Sequence, residues 1–379
     1  MLENTPIRII ELLQLFVRDG YAASLDLSSH AEVWPDLQTD LHQCAYCFKG
    51  LVSDIEGDLL SHEMIYQRSQ LMGLVHRDVS KLLEQQQIQL VSPSLINLLL
   101  WYYWLPLAQS LALRHNQLQR PLIQGLLGGQ GTGKTTLGAI LTIIFRHLGK
   151  SFRSISLDDF YKTYAERQKL RDRRPALIWR GPPSTHDINL CEQVLQQISN
   201  PQTRQITIPR FDKSLHCGAG DRIASESCDR PDITLFEGWF VGMRPLPISA
   251  FRKLIPPILS ESDQQYALDC NAELDNYTKL WDYLDSLIVL IPEQYEYSLE
   301  WRIEAEHKLI ANTNRQAMSD AEITEFVEYF WKALHPELFW PPLISPEYSC
   351  PSFKSLGADL VIRIARSHLP QRIYFPKHT

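Results

Sequence analysis

The chain has 379 residues, 44% of them hydrophobic and 21% charged, enough for about two domains with a sizeable core. Aromatic residues make up 10% and run through the whole chain, which excludes disorder. The net charge of −7 excludes a general nucleic-acid binder, ordinarily a basic protein. Seven irregularly spaced cysteines, and a start (MLENTPIRIIELL) with an early acid and no apolar h-region, predict a reducing cytoplasmic setting, not a secreted disulfide scaffold.

Taken in order, residues 1–117 read as a helical N-terminal domain. Apolar residues recur at helical spacing in IRIIELLQLFV and in HEMIYQRSQLMGLVHRDVSKLLEQQQ. Residues 95–108, LINLLLWYYWLPLA, are apolar and uncharged but too short to span a membrane. They read as a buried helix broken at Pro106, with a second helix over 107–117. From 118 to 379 the pattern changes to alternating strands and helices. Predicted strands lie in PLIQGLLGG, SFRSISLDDFY, QITIPRF, DITLFEGWFVG, DSLIVLIP and DLVIRIA, with helices between them. Continuous apolar strands alternating with helices imply an α/β fold with a parallel sheet flanked by helices, its ligands at the carboxyl ends of the strands.

Residues Gly128, Gly129, Gln130, Gly131, Thr132, Gly133, Lys134 and Thr135 spell the complete G-x-x-x-x-G-K-[ST] pattern, and Thr136 follows. A predicted strand precedes it and a predicted helix follows, the context such a loop requires. Its glycines let backbone N–H groups cradle phosphates, Lys134 is placed for the β- and γ-phosphates of ATP, and the Thr135 hydroxyl for Mg²⁺. Asp158 and Asp159 end the next strand in LDDFY. A carboxylate there serves as a general base toward an attacking hydroxyl, or the pair caps the following helix. Glu237, ending LFE, stands where an acid holds Mg²⁺ directly or through water, although aspartate is the usual residue.

The order GGQGTGKTT, DDFY, IPRFDKS and LFEGW resembles the P-loop kinases of the uridine kinase, phosphoribulokinase and pantothenate kinase group. Within it, RGPPSTHDINL, PRFDKSLHCGAGDR, FEGWFVGMRP, WRIEAE and MSDAEITEFV resemble the plant and cyanobacterial D-glycerate 3-kinases from about residue 95 to 340. The resemblance implies ATP-dependent phosphorylation of D-glycerate to 3-phosphoglycerate, the closing step of photorespiration, with Asp158 as base. It also implies an arginine-bearing lid around 295–315, with Arg302 neutralising transferred charge. Ala317 and the pair His216 and Cys217 depart from the family pattern, which bears on local loop shape.

A small anionic acceptor needs cationic partners. Arg210, Lys213, His216 and Arg222 cluster after a strand, with Lys213 first in line for the carboxylate; these residues otherwise form surface pairs. His216 matches a histidine that the resemblance places in the acceptor pocket. Asp187 is either a helix cap or a contact to acceptor hydroxyls. Arg302 also has the spacing to pair with Glu306 along one helix. The basic run Lys162–Arg174 reads as a solvated helix because acids interrupt it and no aromatic ladder accompanies it. Cys44 and Cys47 form half a zinc motif at most. The same core acting on a nucleoside, pantothenate or sugar phosphate, or a P-loop ATPase, are the alternative readings; no nucleic-acid or membrane partner is expected.

Overall fold

A computed structural model describes residues 7–18, 47–48, 51, 62–88, 92–312, 318–345 and 357–376. The chain opens with α1 (Ile7–Arg18), α2 (His62–Gln85), α3 (Pro93–Leu99) and α4 (Leu105–Leu118). The expected break at Pro106 does not occur. A π-helical stretch, Leu100–Trp104, joins α3 to α4, and the Leu105 N–H reaches back to the Leu100 carbonyl. Pro106 falls in the first turn of α4, so its missing N–H and its ring are both accommodated. Residues 97–108 are buried throughout. Among the described residues no helix is long and apolar enough to cross a membrane.

The sheet contains β1 (Leu122–Gly128), β2 (Phe152–Ser156), β5 (Ile233–Gly238), β6 (Ser286–Pro292), β7 (Leu360–Ile364) and β8 (Pro370–Tyr374) in the order β2-β5-β1-β6-β7-β8. Every pairing is parallel except the edge pair β7–β8, a strand the apolar pattern did not signal. Strands β1, β5 and β6 are buried along their whole length, as their continuous apolar runs require.

One expected strand of this sheet is elsewhere. β3 (Gln205–Asp212) pairs antiparallel with β4 (Asp221–Asp229) in a separate hairpin. Its residues alternate exposed and buried, Gln205 and Thr207 outward, Ile206 and Ile208 inward, which suits a sheet with one wet face. Pro209 has no N–H to donate and sits where the register slips between Ile208 and Arg210.

Alternation along the strands sends side chains to two cores. Leu122, Leu126, Ile288 and Leu290 face Ile9, Phe16, Met72, Trp101 and Ile140, so the N-terminal helices and α5 (Lys134–His147) cover one face of the sheet. Ile123, Leu127, Phe236 and Val289 face Val194 and Leu195 of α7 (Ile188–Ser199), Tyr266 of α8 (Glu261–Glu273) and Trp281. Between β2 and α7 lies α6 (Tyr164–Arg173). After β6 come α9 (Tyr297–Asn312) and α10 (Asp320–Ala333). The phosphate loop therefore leaves the carboxyl end of the strand at which chain order reverses across the sheet, the site expected of doubly wound folds.

Candidate active site

Gly131 and Gly133 take φ of +77° and +88°, left-handed values that turn the loop back over the start of α5. Lys134 Nζ donates to the Gly129 carbonyl at 3.0 Å and lies 4.0 Å from Glu237 Oε2. Burial lowers the Lys134 ammonium and raises the Glu237 carboxyl, and each charge opposes the other's shift. Gly129, Gln130, Gly131, Lys134 and Thr135 face a cleft of about 1040 Å³. Thr132 donates to the Gly129 carbonyl at 2.9 Å and braces the loop from within. Thr136 turns to Gln86 at the foot of the N-terminal helices.

α9 touches this loop through Trp301. A Cβ on Gly131 would come within 2.8 Å of the Trp301 ring. Trp301 donates its indole N–H to the Arg366 carbonyl at 2.9 Å and stacks on His368 at 4.5 Å. His368 Nδ1 in turn donates to the Gly131 carbonyl at 3.0 Å.

The two aspartates divide the roles open to them. The strand ends at Ser156, and Leu157–Phe160 forms a 3₁₀ turn with a capping box between Ser156 and Asp159. Asp159 is committed to that cap and to Arg210 at 2.9 Å. Asp158 faces the cleft. Its carboxylate accepts from Lys213 Nζ at 2.6 Å and from the Tyr161 hydroxyl at 2.8 Å. Burial alone raises this carboxyl, but the Lys213 charge and hydrogen bond, with the Tyr161 hydroxyl, overrule it and hold Asp158 below the usual aspartate value.

The other sequence-derived acceptor residues stand apart from the cleft wall. Arg210 bridges Asp159 and Glu226 across the β3–β4 hairpin. Asp187 caps α7 through the Leu190 N–H at 3.1 Å and pairs with Arg222 at 3.2 Å. His216, at φ +50°, pairs with Asp221 at 3.1 Å and stacks on Tyr164 with ring centroids 4.0 Å apart. Lys213 and Arg302 do line the cleft. Arg302 pairs with Glu306 at 2.9 Å and lies 5.8 Å over the Phe326 ring. Ala317 and Cys44 lie outside the described residues. Burial pushes the Cys47 thiol up to about 11, away from thiolate chemistry.

The opposite wall, which no motif announced, is aromatic: Trp179, Trp239, Phe326, Phe330, Trp331 and Trp340. It is pinned at Gly181, whose φ is +127° and whose carbonyl accepts from the Trp239 indole at 3.0 Å. A Cβ there would meet Phe330 at 2.3 Å, and Phe330 is itself packed against Trp239 and Phe326. Gly181→Ala is therefore expected to destabilise the fold by roughly 3 kcal/mol. Thermal melting would show a drop of several degrees; an unchanged melting temperature would mean this wall yields freely.

No family model matches the sequence. The chain is 29% identical over 281 residues to the chloroplastic D-glycerate 3-kinase of Arabidopsis thaliana, using 68% of its own length and spanning 59% of that protein. It is 33% identical over 219 residues to an uncharacterised kinase, mug58, of Schizosaccharomyces pombe, covering 56% of this chain and 79% of the relative. The probable ATP-dependent kinase TDA10 of Saccharomyces cerevisiae is 32% identical over 226 residues, with coverages of 55% and 75%. Among solved structures, the D-glycerate 3-kinase from Cryptococcus neoformans aligns with a TM-score of 0.61 at 26% identity, covering 71% of this chain and 96% of that one. With the phosphate loop, the parallel sheet and these relatives in agreement, the chain belongs to the P-loop kinases of the glycerate kinase, uridine kinase and phosphoribulokinase group.

Proposed function

We propose that the protein transfers the γ-phosphoryl group of ATP to the 3-hydroxyl of D-glycerate, giving 3-phosphoglycerate and ADP. The observation that carries this reading is the meeting, in one cleft, of the phosphate loop with a carboxylate kept ionised and a ring of cations. Asp158 accepts the proton of the attacking hydroxyl, and Tyr161 holds its second oxygen in place. Lys134 belongs to the phosphate loop and Arg302 lines the same cleft; on this reading both balance charge as the phosphoryl group moves. Support for glycerate as acceptor comes from the plant and Cryptococcus relatives, both named D-glycerate 3-kinases.

Thr135 and Glu237 suit Mg²⁺ as hard oxygen donors on the same wall. Among the described residues no group of three or more His, Cys, Asp or Glu could hold a metal. Bound there, the ion would neutralise phosphate charge.

An ADP-release assay tests the reading with Mg-ATP and D-glycerate, L-glycerate, uridine, pantothenate, ribulose 5-phosphate or no acceptor. Turnover confined to D-glycerate is the expected result. Equal ADP release without any acceptor would replace the kinase reading by an ATPase. The aromatic wall favours a flat acceptor as the second reading, and turnover confined to uridine would establish it.

The Lys213 contact makes a separate prediction. Lys213→Ala removes the charge and hydrogen bond that lower Asp158, leaving burial to raise it. A base works ionised, so the acid limb of the kcat/KM profile moves to higher pH in the variant. A limb that stays in place would show that another group titrates there.

A further inference from the structure

The cleft wall carries six cationic side chains among the described residues: Lys134, Arg167, Arg171, Arg180, Lys213 and Arg302. Most already have work. Lys134 is held by Gly129 and Glu237, Lys213 by Asp158 and Arg302 by Glu306. Arg167 donates to the carbonyls of Lys162, Ala219 and Gly220 and so shapes the β3–β4 turn. Arg171 is exposed on α6, with no hydrogen-bond or ion-pair partner among the described residues.

Arg180 is different. No carboxylate lies within ion-pair distance of it among the described residues, yet it is half-buried and rigidly held. One Nη1 hydrogen is donated to the Gly218 carbonyl at 2.6 Å. The guanidinium lies 6.0 Å from the Tyr161 ring centroid and 5.7 Å from that of Phe211. Its backbone neighbour Gly181 is fixed by Trp239 and by its own N–H donated to Thr185 Oγ1 at 3.1 Å. Its Nε and Nη2 donors have no hydrogen-bond partner among the described residues and are not sealed from solvent. A fixed guanidinium with an open fork of donors on a cleft wall is built for a planar anion.

Tyr161 relates this fork to the chemistry. Its ring face lies toward Arg180 while its hydroxyl donates to Asp158 at 2.8 Å. An acceptor whose hydroxyl meets Asp158 thus finds Arg180 across the ring of the same tyrosine, on the side where a short hydroxy acid can carry its carboxylate. We propose that Arg180 receives the carboxylate of the acceptor and sets the preference for hydroxy acids over neutral alcohols. This rests on the reading of the cleft as that of a hydroxy-acid kinase.

The test is steady-state kinetics of the full chain with wild type, Arg180→Gln and Arg180→Lys, varying D-glycerate and ATP separately. Arg180→Gln is expected to raise the KM for D-glycerate on the order of 100-fold, the effect of deleting one partner of a buried charge pair. Its KM for ATP and its melting temperature stay at the wild-type values, and kcat recovers at saturating D-glycerate. Arg180→Lys, with charge but no fork, falls between the two. An unchanged KM for D-glycerate in Arg180→Gln overturns the assignment. So does a parallel loss in the KM for ATP or in melting temperature, which marks a merely structural role. Wild type assayed in parallel on the acceptor panel above tests the underlying reading by itself. Preferred turnover of uridine would overturn both, whereas preference for another hydroxy acid would overturn glycerate alone, with the Arg180 effect then read on that acid.

Discussion

Replacing Asp158 by asparagine is expected to lower kcat with D-glycerate about 1000-fold while leaving the KM for ATP close to that of wild type. The amide keeps the size of the side chain; its oxygen can still accept from Lys213 and its NH2 can donate to the Tyr161 hydroxyl, so the cleft retains its shape. What it loses is the ability to take a proton. The 3₁₀ turn depends on Ser156 and Asp159 for its cap, so the backbone that carries residue 158 stays in place. Single-turnover measurement at saturating ATP and D-glycerate checks this. Near-full turnover by Asp158→Asn would remove the residue from the role of base.

Replacing Lys134 by alanine is expected to reduce kcat/KM for ATP by roughly 100- to 1000-fold, the range for removing one preorganised donor to developing charge. The loss has two sources. The phosphates lose a half-buried cation already directed at the loop by the Gly129 carbonyl. Glu237 also loses the charge that opposes its rise on burial, leaving a carboxyl that protonates more readily. The variant should therefore show a steeper loss of activity at low pH than wild type. A pH series with Lys134→Ala beside Lys134→Arg separates the effects, since arginine restores the charge but not the fit. Equal kcat/KM in Lys134→Ala and wild type would refute the assignment.

What could be read from the sequence was what depends on neighbours in the chain. The phosphate loop is such a feature: its glycines, lysine and threonine lie within one turn between a strand and a helix, and the structure has that order. The continuous apolar runs of β1, β5 and β6 likewise declared a doubly covered sheet. QITIPRF alternates polar and apolar residues where those strands run continuously apolar, and it lies in the separate hairpin with β4, outside the main sheet. The acceptor side was harder because it is assembled across long separations. Arg210 and Arg222 are plain in the sequence as cations, but the acids that engage them, Asp159, Glu226 and Asp187, come partly from other elements. Trp179, Trp239 and Phe330 meet only in the folded chain. The WRGPP segment, an arginine beside a glycine and two prolines, was the one local sign that a side chain there is rigidly presented.

For a lid of the kind the resemblance implies, the fastening of Trp301 against Gly131 sets how α9 can work. An anchored helix swings least near its anchor and most at its far end, and Arg302 is the very next residue. On the proposed reading its guanidinium reaches the phosphates by leaving Glu306 and choosing another side-chain rotamer, with little travel of the backbone. Such exchanges take picoseconds to nanoseconds, against microseconds or longer for a swinging helix. Charge would then arrive at the reacting group as a change of partner, and the slow step of the cycle would have to be found elsewhere.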